Sequence, residues 1–122
     1  ADAKNLFVRD DKKQNYYLIT VKGNKRADLK AFRKANQTRP LSFAPESELL
    51  RILGLTAGSV TPFGILNDAK REVKVFLDED FFKAPGLIGV HPNDNTATVW
   101  LKAKDLAGII QEHGNEFYLV QI

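Results

Sequence analysis

Short runs of alternating apolar and polar residues dominate this chain, with three stretches of helical spacing between them. Lys4 to Arg9 reads as a strand, Asp10 to Asn15 as a polar turn, and Tyr16-Tyr17-Leu18-Ile19-Thr20-Val21 as a strong β run. After a Gly23-Asn24 turn, Asp28 is placed to cap a short helix with Leu29 and Phe32 inward. Leu41 to Phe43 gives a short strand. Pro45 then suits the first turn of a second helix through Leu49, Leu50 and Leu53, closed by Gly54. Gly58 to Gly64 leads into a strand through Leu66, and Val73 to Leu77 alternates after an Asn67-Asp68 turn. Asp80 to Lys83 forms one helical turn. Leu87 to Val90 and Thr96 to Leu101 are strands on either side of Pro92-Asn93-Asp94-Asn95. A last helix from Asp105 to His113 buries Leu106, Ile109 and Ile110, stops at Gly114, and precedes a strand from Phe117 to Ile122.

The order ββαβαβββ(β)αβ has too many directly consecutive strands for a pure βαβ fold. It predicts an α/β (α+β) domain: a mixed, mostly antiparallel, curved or barrel-like sheet flanked by helices. With 122 residues, 43% of them hydrophobic, one domain with one substantial core is expected. No apolar run approaches the roughly 18 residues of a membrane span. The chain has no cysteine, which excludes disulfides, cysteine-zinc sites and thiol nucleophiles and makes a cytoplasmic location the expectation. It also has no methionine, even at position 1, so a piece of a longer polypeptide is expected.

Charge changes the picture more. Residues 1–39 carry 11 Lys/Arg against 4 Asp/Glu, whereas the rest of the chain carries 7 against 11. Arg26, Lys30, Arg33 and Lys34 fall at three- and four-residue spacing and would form one basic stripe, suited to a phosphate-bearing partner or simply to a solvated helix face.

Candidate chemistry is sparse. His91 and His113 lie far apart and in no ligand spacing, so neither a metal nor a cofactor is expected. Ser59 and His91 could belong to a Ser-His-Asp triad, but no nucleophile-elbow pattern surrounds the serine. The unusual segment is Gly58-Ser59-Val60-Thr61-Pro62-Phe63-Gly64. Glycines at both ends allow close backbone approach, Pro62 pushes Thr61 toward an extended conformation, and two hydroxyls stand beside whatever amides the bend exposes. Such a segment is either a structural turn or a cradle for a small polar ligand. A second unusual stretch, Gly89 to Trp100, sets His91 between a glycine and a polar turn.

Lys4-Asn5-Leu6-Phe7, Leu41-Ser42-Phe43-Ala44, Gly58 to Gly64, and Gly89-Val90-His91-Pro92-Asn93-Asp94-Asn95-Thr96-Ala97-Thr98 occur in this order. In this the chain resembles, over essentially its whole length, the YbaK/prolyl-tRNA-synthetase-associated domain family. Its free-standing alanyl-tRNA(Pro) deacylase branch is the nearest likeness. The resemblance implies an editing domain that hydrolyses the ester of a mischarged tRNA, most closely Ala-tRNA(Pro), with prolyl-tRNA synthetase as a possible partner and no membrane. It matches Lys4 to the family's essential lysine, Ser59 to Gly64 to its substrate loop, and His91 to the histidine near the aminoacyl group. Asn5, Gly58, Gly89, Asn93 and Thr98 would complete the substrate site, with Arg26, Lys30, Arg33 and Lys34 on tRNA phosphates. Family members usually carry a segment ahead of the lysine motif, where this chain has only Ala1-Asp2-Ala3. The rival readings are a non-catalytic tRNA- or aminoacyl-binding module of a synthetase and a general RNA-binding domain using Tyr16 and Tyr17. The latter is disfavoured because adjacent strand residues face opposite sides.

Overall fold

The computed structural model describes residues 3–90 and 97–122. Strand β2 (Tyr16–Lys22) explains the architecture: six consecutive residues from Tyr16 to Val21 are buried, so both of its faces must be covered. It lies at the centre of a five-stranded sheet ordered β3-β1-β2-β4-β7. Here β1 is Ala3–Asp10, β3 Leu41–Phe43, β4 Val73–Asp78 and β7 Phe117–Val120. β1 pairs antiparallel with β2 and β3, whereas β4 runs parallel to both β2 and β7. A separate antiparallel pair, β5 (Leu87–Val90) with β6 (Val99–Lys102), completes the strands among the described residues.

Alternation sorts the core into two layers. Phe7, Tyr16, Leu18, Val73, Val75 and Leu77 face one side with α2 (Glu46–Leu53), α3 (Ala103–His113) and the inner side of β5. Val8, Tyr17, Ile19, Val21 and Phe76 face the other, where α1 (Leu29–Asn36) covers them through Phe32. Phe32 meets Phe76 edge-on at 4.9 Å between ring centroids. This is the expected mixed sheet flanked by helices: its four pairings are two antiparallel and two parallel, and the separate β5–β6 pair adds a third antiparallel one.

The helix signals hold at their ends. The Asp28 side chain accepts from the N–H groups of Lys30 and Ala31, and Gly54 and Gly114 end α2 and α3 in the left-handed region. In α2, Leu49, Ile52 and Leu53 lie three and four residues apart and are buried on one face, which leaves Leu50 60% exposed. One expectation fails. The segment through Leu66 is no strand but a 3-10 helix, Pro62–Asn67. Pro62 opens that helix, and Thr61 caps it by accepting from Phe63 N–H, so the residues best suited to an extended run are used as a helix start. No helix among the described residues is long and apolar enough to cross a membrane.

Candidate functional site

Strand β1 sends its first polar residues to opposite faces. Asn5 stands opposite Thr20 of β2. Its Oδ1 accepts from the Thr20 hydroxyl at 2.8 Å, and its Nδ2 donates to the Val60 carbonyl at 3.2 Å. Thr20 is fully buried, so its hydroxyl needs this acceptor. One side chain therefore anchors the unusual loop to the sheet. Lys4 leaves the other face and is exposed; its Nζ donates to the Lys25 carbonyl at 2.7 Å. Among the described residues no carboxylate pairs with Lys4, so its charge is uncompensated there.

Lys25 is itself held firmly. Its Nζ lies 2.8 Å from buried Asp78 and 2.6 Å from Asp80, and donates to the Ile122 carbonyl. Burial works against the Lys25 charge, yet the bonds to Asp78 and Asp80 prevail and raise its pKa. Hydrogen bonds from Lys25 and then Lys83 lower the Asp80 carboxyl to about 2. The turn that receives Lys4 is thus fixed by charge rather than by packing.

The loop is built from two short 3-10 segments, Ala57–Ser59 and Pro62–Asn67, joined by extended Val60 and Thr61. Its glycines serve different ends. A Cβ at Gly58 would meet nothing within 4 Å, so this position is open to an approaching molecule. A Cβ at Gly64 would stand 2.6 Å from Leu55 Cδ1 and 3.2 Å from Leu53 Cβ, so here the protein's own core fills the space. Thr61 is fully buried with its hydroxyl turned to Phe63 N–H, and Ser59 Oγ lies 3.1 Å from Thr56 Oγ1. Pro62 is buried and Phe63 packs against the core. The exposed part of the loop is therefore Gly58 with half-buried Ser59 and Val60. Among the described residues, the N–H groups of Gly58 and Val60 meet no backbone acceptor.

Gly89 is buried on β5 directly opposite Trp100 of β6. Thr98 is exposed just ahead of β6. His91 and Asn93 lie outside the described residues. The basic residues divide. Lys30, Arg33 and Lys34 line one open cleft of about 480 Å³ with Gln37 and Thr38. Arg26 precedes the Asp28 cap, so it stands outside α1 and lines a different hollow beside Ala31, Phe32 and Ile122.

A sequence model of the aminoacyl-tRNA editing domain matches residues 1–109. The chain belongs to this family. It is 41% identical over 119 residues to the prolyl-tRNA editing protein ProX of Acetoanaerobium sticklandii, covering 98% of this chain and 72% of that protein. It is 32% identical to prolyl-tRNA synthetase associated domain-containing protein 1 of Mus musculus, covering 95% and 70% respectively. Among solved structures, a candidate trans-editing enzyme for prolyl-tRNA synthetase superposes with a TM-score of 0.72 at 24% identity, over 99% of this chain and 70% of that one. That likeness is one of fold.

Within the editing domain, the sequence-derived loop and Asn5 are brought together, while Lys4 points to the Lys25 turn. Sequence reasoning counted Asn5 with the substrate site rather than as an anchor for the loop, and read Thr20 only as part of a β run. The available signal was a lone threonine in an otherwise apolar central strand, facing an asparagine across a hairpin. Among the described residues no cluster of His, Asp or Glu has the form of a metal site. What the described residues offer chemically is backbone hydrogen-bond donors and, at Lys4, a cation with no carboxylate partner among them.

Proposed function

We propose that this editing domain is a trans-acting aminoacyl-tRNA deacylase that hydrolyses mischarged tRNA(Pro), with alanine as the amino acid removed, working beside prolyl-tRNA synthetase. The observation that carries the reading is the anchored loop. A segment belonging to the editing family is held by Asn5 with open Gly58 and the Val60 amide at its exposed end. The name of the A. sticklandii relative, a prolyl-tRNA editing protein at 41% identity, supports the choice of tRNA.

The aminoacyl ester is already activated, so positioning and charge stabilisation suffice. Water oxygen adds to the ester carbonyl carbon; the ribose oxygen then departs and takes up a proton, giving free amino acid and a tRNA with its terminal hydroxyl restored. Backbone N–H groups at Gly58 and Val60 orient the aminoacyl end and carry part of the oxyanion charge. Lys4, which leaves β1 on the face opposite Asn5 and pairs with no described carboxylate, binds the terminal phosphate. His91 and the substrate's own terminal hydroxyl are the groups available to hold the water. Lys30, Arg33 and Lys34 meet acceptor-stem phosphates, which fixes position without reading sequence. Alanine is admitted and proline refused by pocket size, since exclusion of a larger group discriminates more strongly than the roughly 1–3 kcal/mol gained per extra methylene.

The test is hydrolysis of Ala-tRNA(Pro) by wild type and by Lys4→Ala, with Pro-tRNA(Pro) as control. Turnover by wild type and a loss of at least about a hundredfold in Lys4→Ala are expected. Hydrolysis by wild type no faster than buffer would sink the proposal.

A further inference from the structure

The outer face of the β5–β6 pair, where Gly89 lies, carries the one tryptophan of the chain. Trp100 is 51% exposed, although a residue of its kind is ordinarily well covered. Its partner across the pair is Gly89. A Cβ placed on Gly89 would lie 2.9, 2.9 and 3.1 Å from Cη2, Cζ3 and Cζ2 of the indole. Near-equal distances to three consecutive ring atoms mean that the glycine sits beneath the ring face, because an edge-on approach would leave the outer two far more distant. The indole therefore lies flat on the strand pair with its other face turned to solvent. Leu87, also partly exposed, and Lys102 form the next cross-strand pair on the same side. Lys102 and Lys104 line a neighbouring hollow of about 220 Å³ with Phe82, Pro85 and Gly86.

An outward aromatic face flanked by two lysines matches the chemistry of unpaired nucleotides: a base stacks on the ring while its phosphates meet the ammonium groups. We propose that Trp100 is a stacking platform for the single-stranded 3′ end of the RNA substrate, with Lys102 and Lys104 on the adjoining phosphates. This rests on the tRNA reading above and adds the part of the tRNA that this face takes.

The sole tryptophan makes the test direct. Uncharged RNA minihelices with an unpaired four-nucleotide 3′ end, and the same helices made blunt, are titrated while Trp100 emission is followed and labelled-RNA anisotropy reports binding independently. The overhang helix is expected to quench the emission and the blunt helix to leave it largely unchanged. Trp100→Ala should weaken binding of the overhang helix about 5- to 150-fold, and Trp100→Tyr should retain most of the affinity. Lys102→Gln should weaken it and flatten its salt dependence. Emission unchanged at saturating overhang helix, or equal quenching by the blunt one, would overturn the proposal. So would an emission change that follows protein concentration without RNA, which would assign the face to self-association. Because the RNA is uncharged, overhang-dependent quenching would uphold the platform even in a protein that fails to deacylate.

Discussion

Asn5 Nδ2 donates to the Val60 carbonyl at 3.2 Å across 55 residues of sequence, while its Oδ1 receives the buried Thr20 hydroxyl. That single amide joins the first strand, the central strand and the loop that carries the candidate site. It also makes the loop's position a property of the sheet rather than of the loop alone.

Removing the amide should therefore cost both stability and activity. Asn5→Ala leaves the Thr20 hydroxyl buried without its acceptor, a loss of about 1–3 kcal/mol in urea denaturation. Thr20→Val removes the other partner, so the double variant should lose less than the sum of the two single ones. Strict additivity would show that the pair is not coupled. Deacylation by Asn5→Ala should fall further than deacylation by Thr20→Val, since only the former releases Val60.

The two glycines of the loop should separate stability from activity. Gly64→Ala drives a methyl against Leu55 and Leu53 and should destabilise the fold by about 1–3 kcal/mol. Gly58→Ala has open space and should change stability by no more than about 0.5 kcal/mol. If substrate passes over Gly58, that added methyl should still slow deacylation. Full activity in Gly58→Ala would place the substrate elsewhere.

These two positions also show how much of the site was legible in the sequence. The extended Thr61 before Pro62 followed from residue type, whereas a role for Lys4 came from the family resemblance alone. The fate of each loop group did not follow from residue type: Thr61's hydroxyl is taken by Phe63 N–H as a helix cap, and Gly64's space is filled by Leu55 and Leu53, a contact that only tertiary packing decides. In the fold, β1, β2 and the helix stops at Gly54 and Gly114 were readable from local pattern. The parallel pairing of β2 with β4 was not, since alternation defines a strand's faces but not its neighbour.

Acid should loosen the turn behind Lys4. The Asp80 carboxyl is lowered from 3.8 to about 2 in the folded protein, chiefly by Lys25 and then Lys83. A carboxylate with a lower pKa folded than unfolded favours the folded state fully above the unfolded value, and that contribution fades as pH falls from about 4 to about 2. A carbon-detected NMR titration should find Asp80 among the most acidic side chains. Lys25→Met should return it toward the ordinary carboxylate range and flatten the pH dependence of stability in that window. An Asp80 titration unchanged in Lys25→Met would refute the assignment.

A fourth expectation concerns the far end of the sheet. Asn115 is buried, and its Nδ2 donates to the Asp68 carboxylate at 2.8 Å and to the Val73 carbonyl at 2.9 Å. Asn115→Ala should lower stability by about 2–3 kcal/mol, because a buried carboxylate loses a donor. Deacylation measured well below the melting temperature should stay near wild type, as Asp68 caps only the far end of the Pro62–Asn67 segment, away from exposed Gly58. An equal loss of activity at that temperature would tie this end of the sheet to the site.

The parallel pairing of β2 with β4 has a consequence for assembly. The chain between them, roughly fifty residues, holds α1, β3, α2 and the whole substrate loop. Those residues form one large closure that must be completed before Tyr16 can meet Val73. The β1–β2 hairpin, being local, can form early and present Asn5, but Val60 reaches it only once the long connection has folded back. Deacylation should therefore recover during refolding together with the last structural phase and not ahead of it, making activity a clock for completion of the sheet.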